Sequence, residues 1–347
     1  MREGRTRILM TGGGAPGAPG ILKCLKQDPL LDIFVADANP HAVGRYLNQD
    51  FFSIPRADDP LFIDTVLESC LERGIKIIMP LVTRELFLFA REKKRFEQEG
   101  ISVLVSEENA LNIANNKSRL VQFLEMNRIA VPEFRVAQSY PEFELAVKEL
   151  GYPFRKVCFK PSVSNGSRGF RIIDDAVNSY DLLFNHKPNS TYISYKEISG
   201  ILEKHEFPEL LVSEVLPGEE FSVDCLVNHG KCVIAIPRIR TRMNNGISVE
   251  GEFIKEPDII HYSTQIVEAI GLHGNIGVQV KRSESGKFLV LEINPRVQGT
   301  IVSGLGAGVN LPMLAVQQEL GYDIRPEDIA VRWGTKFIRY WEEVFYK

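Results

Sequence analysis

Between Arg7 and about Ala114, short apolar runs alternate with longer amphipathic stretches, and that alternation restricts the region to a parallel α/β arrangement. The expected strands are 8–11, 33–37, 75–80 and 101–105. Between them the spacing predicts helices over 20–27, 61–73 and 84–98, each with apolar residues three and four apart. Residues 1–114 therefore read as a Rossmann-like N-terminal domain.

A further helix is predicted from Lys117 to Asn127, after which Val131-Pro132-Glu133 breaks the pattern. From about 130 to 213 a small α+β segment is expected: a helix over 141–150, a strand over 157–160, a Ser/Gly-rich loop and a strand over 169–173. Beyond it the chain becomes strand-rich and antiparallel in character, at 210–213, 220–228, 231–239, 277–281 and 288–293, with helices over 258–270 and 311–320. The expected division is 1–114, then 115–330 in two α+β subdomains (130–213 and 214–330), then a tail over 331–347.

With 41 Lys plus Arg against 45 Asp plus Glu and a net charge of -4, no global basic field exists to recruit nucleic acid or an anionic membrane. No window approaches the roughly 18 apolar residues that cross a bilayer. The 5 cysteines are scattered and form no CxxC pair. Arg2, Arg5 and Arg7 lead straight into a strand and glycines, without the apolar core of a signal peptide, so a cytoplasmic protein is expected.

Gly12-x-Gly14-x-x-Gly17 follows a strand and opens a helix, with Asp37 ending the next strand, as an NAD-binding fingerprint requires. Pro16 and Pro19 crowd that turn, and Pro19 removes an N–H donor from the helix start. The favoured reading is a tight turn; an NAD-dependent oxidoreductase stands as a minor alternative.

The chemistry-bearing residues come later. Lys160 ends a strand beside the loop Ser164 to Gly169, which includes Gly166 and Ser167; one fixed cation and several small-residue amides suit a polyphosphate. In Glu214-Val215-Leu216-Pro217-Gly218-Glu219-Glu220, main-chain groups can read an adenine edge and a downstream carboxylate can take ribose hydroxyls, a role the resemblance described below gives to Glu220, although acidic residues around Pro-Gly are also ordinary turn chemistry. Glu292 and Asn294 lie two apart on a strand and share a face; with Gln279 they offer oxygens to magnesium, and Arg296 follows to offset phosphoryl charge. Arg238, Arg240 and Arg242 alternate along a strand and read either as an anion clamp for substrate or as an exposed charged edge. Met243 to Gly251 reads as a mobile loop, and none of the 6 histidines is assigned a role.

In this order, the Rossmann-like start, Asn116-Lys117-Ser118, Phe159-Lys160-Pro161, the Ser164–Gly169 loop, Glu214 with Gly218 and Glu220, and Gln279 with Glu292-Ile293-Asn294-Pro295-Arg296 resemble the ATP-grasp superfamily. The synthetase unit of carbamoyl-phosphate synthetase large chains, in a short stand-alone form, is the nearest likeness. The resemblance implies a pre-ATP-grasp domain followed by an ATP-grasp fold of two α+β subdomains. It also implies ATP and Mg2+ (with Mn2+ as a substitute), and it places Lys117 as well as Lys160 on the phosphates. The chemistry implied is ADP-forming ligation of a small carboxylate to an amine through an acyl phosphate, with Arg296 and Lys160 as catalytic groups and a homodimer through the N-terminal domain allowed. A regulatory ATP binder of the same fold remains the alternative.

Overall fold

The computed structural model describes residues 4–164, 168–185, 191–244 and 246–346. Two compact units are formed: unit 1 holds Met1–Ala114, Glu220–Val280 and Ile293–Lys347, and unit 2 holds Asn115–Glu219 and Lys281–Glu292.

Unit 1 opens with β1 (Thr6–Thr11), α1 (Ala18–Leu25), β2 (Leu31–Asp37), α2 (Val43–Leu47), β3 (Phe51–Ser53), α3 (Phe62–Arg73), β4 (Ile77–Pro80), α4 (Thr83–Gln98), β5 (Ser102–Val103) and α5 (Glu108–Ala114). The strands make a five-stranded sheet in the order β3-β2-β1-β4-β5, with every pair parallel. Both faces are covered, as a parallel sheet requires. Ile8 and Met10 pack with Ile21 and Leu25 of α1, while Leu9 between them packs with Phe62, Val66 and Phe89 of α3 and α4. The alternation of side chains along β1 thus feeds two separate cores.

The glycine turn after β1 is spent on this packing. Gly12 adopts φ +72°, and the Gly14 N–H donates to Asp37 Oδ2 at 2.7 Å. A Cβ on Gly17 would stand 2.4 Å from the Cα of Gly299, so the start of α1 is pressed against the 299–302 segment.

Unit 2 carries α6 (Lys117–Met126), β6 (Phe134–Ala137), α7 (Tyr140–Glu149), β7 (Val157–Pro161), β8 (Arg171–Ile173), α8 (Ser179–Phe184), β9 (Tyr192–Ile193), α9 (Tyr195–Leu202) and β10 (Leu210–Glu214). Its sheet runs β6-β10-β7-β8-β9, antiparallel except for β8 with β9. Phe143 and Val147 of α7 close over Val157, Phe159, Leu210 and Val212.

The remaining elements are β11 (Glu220–Asn228), β12 (Lys231–Asn244), β13 (Ile247–Phe253), α10 (Pro257–Ile270), β14 (Gly274–Arg282), β15 (Phe288–Asn294), α11 (Leu311–Glu319) and β16 (Lys336–Ile338). They build a six-stranded sheet in the order β15-β14-β11-β12-β13-β16, and the unit division falls inside β14 and β15. Met243–Gly251, expected to be a mobile loop, is instead the turn of the β12–β13 hairpin and most of β13. Gly246 at φ +76° supplies the left-handed residue such a tight connection needs; Asn245 lies outside the described residues. The segment 331–347 contributes the edge strand β16, paired with β13. Among the described residues no helix is long and apolar enough to cross a membrane.

Candidate active site

In unit 2 the start of α6 is fixed on the end of β7. Asn116 caps the helix by accepting from the Arg119 N–H at 2.9 Å, and Lys117 N donates to Ser162 O at 2.8 Å. This brings the Lys117 side chain, 7% exposed, over the loop that follows β7, where Nζ donates to Ser164 O at 2.7 Å and lies 3.8 Å from Glu292 Oε2. Burial pulls the Lys117 ammonium below the usual lysine range; Glu292 opposes that depression and Lys160 adds to it. Lys160 Nζ donates to Leu291 O at 2.7 Å, next in sequence to Glu292. Two lysines and a carboxylate far apart in the chain thus converge, held mainly by main-chain oxygens.

The small-residue loop closes at Gly169, which has φ +78° and lies so near Pro161 that a Cβ would be 2.6 Å from its ring. Gly166 and Ser167 lie outside the described residues. Glu214 ends β10, and its carboxylate accepts from the Glu133 N–H at 2.9 Å while its own N–H donates to Glu133 O at 3.0 Å. Its side chain therefore serves the sheet, which leaves main-chain groups for any adenine contact. Beyond it the chain runs irregularly through Val215 and the buried Leu216 to Gly218, whose N–H donates to Arg282 O at 3.0 Å.

In unit 1, Glu220, Arg240 and Gln279 lie on β11, β12 and β14. Arg240 is the hub: Nε donates to Ser248 Oγ at 3.0 Å, Nη1 to Gln279 Oε1 at 3.1 Å and to Glu220, and Nη2 to Gly246 O. Arg238 is 1% exposed and donates to Asp224 Oδ2 at 2.8 Å. Against the expected substrate clamp or exposed edge, both guanidiniums are buried beside the protein's own carboxylates, Arg238 at Asp224 and Arg240 at Glu220. Only Arg242, paired with Glu250, is on the surface. The shared face of alternate residues was legible, but its burial was not.

Glu292 and Asn294 lie two apart on β15 and share a face. Arg296 follows, donating from Nε to Thr83 Oγ1 at 3.1 Å and from Nη1 to Val297 O at 3.0 Å. Among the described residues no three His, Cys, Asp or Glu side chains are grouped to hold a metal. Glu292 falls in unit 2, and Asn294 and Gln279 fall in unit 1, where Gln279 Oε1 already accepts from Arg240; carboxylate and amide oxygens are ligand types that magnesium takes alongside phosphates and water.

One residue escaped the sequence reading. Glu85, in the first turn of α4, is 6% exposed and accepts from Thr11 Oγ1 at 2.5 Å. Burial pushes its carboxyl up to about 7, the Thr11 hydrogen bond opposes this, and Asp37 adds to it. In the sequence it looked like one more polar residue of an amphipathic helix.

Two family models match: one described as PylC-like, N-terminal domain, over residues 8–104, and one described as ATP-grasp in the biosynthetic pathway with Ter operon, over residues 206–337. Residues 206–337 thus match an ATP-grasp domain. Among curated relatives, the carbamoyl phosphate synthase large chain of Clostridium perfringens is 26% identical over 220 residues, which is 60% of this chain and 19% of the relative. The chain thus spans about a fifth of that relative's length. Among solved structures, the biotin carboxylase β,γ-ATP complex of Campylobacter jejuni has a TM-score of 0.69 at 16% identity, covering 94% of this chain and 73% of that one. The L-amino acid ligase of Bacillus licheniformis has a TM-score of 0.64 at 17% identity, covering 92% and 75%. These similarities establish the ATP-grasp fold.

Proposed function

We propose that the chain is an ATP- and magnesium-dependent ligase that activates a small carboxylate as an acyl phosphate and joins it to an amine, releasing ADP and phosphate. The observation that supports this reading is the convergence in unit 2 of two cations, Lys117 and Lys160, with the Glu292 carboxylate. The names of the similar proteins support it: a carbamoyl phosphate synthase, a carboxylase bound to ATP and an amino acid ligase.

In this reading Lys117, Lys160 and main-chain amides of the 164–169 loop hold phosphate oxygens. Main-chain groups of Glu214, Val215 and Leu216 take the adenine, and Glu220 takes the ribose. Glu292, Asn294 and Gln279 hold magnesium, which supplies positive charge to the phosphates when bound. A carboxylate oxygen of the substrate attacks the γ-phosphorus and the bond to ADP breaks. Arg296 offsets charge on the phosphoryl group in flight. The amine nitrogen then attacks the acyl carbon and phosphate departs. Such catalysis is positioning and charge compensation rather than covalent work by the protein.

The test is ADP release from MgATP in the presence of the twenty L-amino acids, bicarbonate and small organic acids, each with and without ammonium or a second amino acid. Turnover should require a carboxylate, vanish with a chelator and return with Mn2+. ATP hydrolysis indifferent to every acid and amine would overturn the reading.

A further inference from the structure

The six-stranded sheet ends at β16, which β13 pairs on one side and, among the described residues, no strand pairs on the other. The ladder outlasts the strand by one residue, since Arg339 N donates to Val249 O at 2.8 Å. Thr335 O accepts from Phe253 N at 2.9 Å, so residues 335 and 339 turn their main-chain groups to β13, and by alternation Lys336 and Ile338 turn theirs to the open edge. Side chains alternate as well: Phe337 and Arg339 are half-buried, with the Phe337 ring beside Phe253, whereas Lys336, Ile338 and Tyr340 are exposed. An open edge of this kind is a template for pairing with another chain.

Ile338, Tyr340 and Trp341 are 66%, 78% and 90% exposed, an apolar run of the sort that marks an interaction surface. The charges around it say which partner fits. Lys336-x-Ile338-x-Tyr340-x-Glu342 complements its own reverse. Laid antiparallel on a second copy with the axis at Arg339, Lys336 meets Glu342 and Ile338 meets Tyr340, each twice and all on one face. On the other face Phe337 meets Trp341 on either side of the two Arg339 side chains, and aromatic faces offset that like-charge contact. Moving the axis to Ile338 or to Tyr340 leaves no opposite charges face to face, and parallel pairing sets Lys336 against Lys336.

We propose that the β16 edge is an interaction surface for a second copy of this chain, joined antiparallel about Arg339 so that the six-stranded sheets of the two copies run on as one. This surface is separate from the N-terminal domain through which the family resemblance allows a dimer. It stands independently of the ligase reading, because none of its residues is assigned to nucleotide, metal or carboxylate. Main-chain hydrogen bonds of Lys336 and Ile338 supply the adhesion, and the Ile338–Tyr340 pairs leave water. The Lys336–Glu342 pairs set the register.

The experiment measures self-association of the full chain by sedimentation velocity over a range of concentrations, for the wild type, Lys336→Glu, Glu342→Lys and the double variant. Both residues are exposed, so neither swap disturbs a core, and far-UV circular dichroism checks the fold. The wild type should form a reversible dimer. Each single swap turns two opposite-charge pairs into like-charge pairs and should weaken that dimer by about 10-fold or more; the double variant should return to the wild-type value. Lys336 also lies 3.5 Å from Glu252 of its own chain, so the decisive sample is an equal mixture of the two single variants. There every cross-strand pair is again of opposite sign, and the mixture should associate more tightly than either variant alone. A monomeric wild type, which would leave the edge to a partner of another kind, overturns the assignment. So does a dimer indifferent to both swaps, or a mixture no tighter than its components.

Discussion

Lys117 Nζ and Glu292 Oε2 lie 3.8 Å apart, within one unit, although 175 positions separate them in the chain. The carboxylate moderates the loss of charge that burial imposes on the lysine. Removing it therefore strikes twice under the proposed function: the oxygen proposed to hold magnesium is lost, and Lys117 is driven further toward its neutral form. Glu292→Ala should lower carboxylate-dependent ATP turnover by about 100-fold or more, while far-UV circular dichroism stays that of the wild type. Turnover at the wild-type rate would remove Glu292 from the site.

Glu85 links stability to pH in a direction opposite to that of a salt-bridged carboxylate. Burial pushes its carboxyl from an ordinary 4.5 up to about 7 in the folded chain, so between those values the folded state holds a proton that the unfolded state releases. The stability this contributes is complete below the lower value and is lost as pH climbs through the upper one. At about 1.36 kcal/mol per unit the effect reaches about 3 kcal/mol. Urea unfolding across that range should show the decline in the wild type and a flatter profile in Glu85→Gln. Equal slopes in the two proteins would contradict it.

Much of the parallel sheet was legible because Ile8, Leu9 and Met10 are apolar on both faces and amphipathic helices follow. The placement of the candidate site residues was legible where it depends on local order: a lysine near a strand end, or Glu292 and Asn294 two apart on one strand. What depends on contacts distant in sequence was not. Alternation puts Arg238 and Arg240 on one face but says nothing of Asp224, Glu220 and Gln279 waiting there. Nor could the pattern of α4 distinguish Glu85, turned toward Thr11, from its solvated neighbours. The β12–β13 hairpin is hard to read from sequence because a glycine such as Gly246 in a polar stretch suits a loop as well as a strand connection at positive φ.

Arg238 separates a structural cation from a substrate clamp. It and Asp224 are 1% and 3% exposed in their side chains and lie 2.8 Å apart. Arg238→Ala leaves Asp224 charged and buried, which should cost about 3–5 kcal/mol. The double change Arg238→Met with Asp224→Leu should recover much of that, since a buried ion pair is often replaceable by apolar residues of similar volume. Denaturation midpoints of the three proteins check this. If Arg238 instead bound substrate, Arg238→Ala would raise a substrate KM and leave the midpoint in place.

Gly17 decides between the two readings of the N-terminal glycine motif. Its φ of -90° and ψ of -14° are open to any residue, so alanine meets no conformational penalty there. The obstacle is packing: the new Cβ would lie 2.4 Å from the Cα of Gly299, and a main-chain atom cannot swing aside as a side-chain tip can. Gly17→Ala should therefore lower stability by about 1–3 kcal/mol, the usual range for overpacking. A dinucleotide site predicts something else, that NADH fluorescence changes on mixing with the wild type and that Gly17→Ala abolishes the change. Urea denaturation and an NADH titration, run on both proteins, distinguish the two. With Gly17 already against Gly299, the expected result is a lower midpoint in the variant and no NADH response in either.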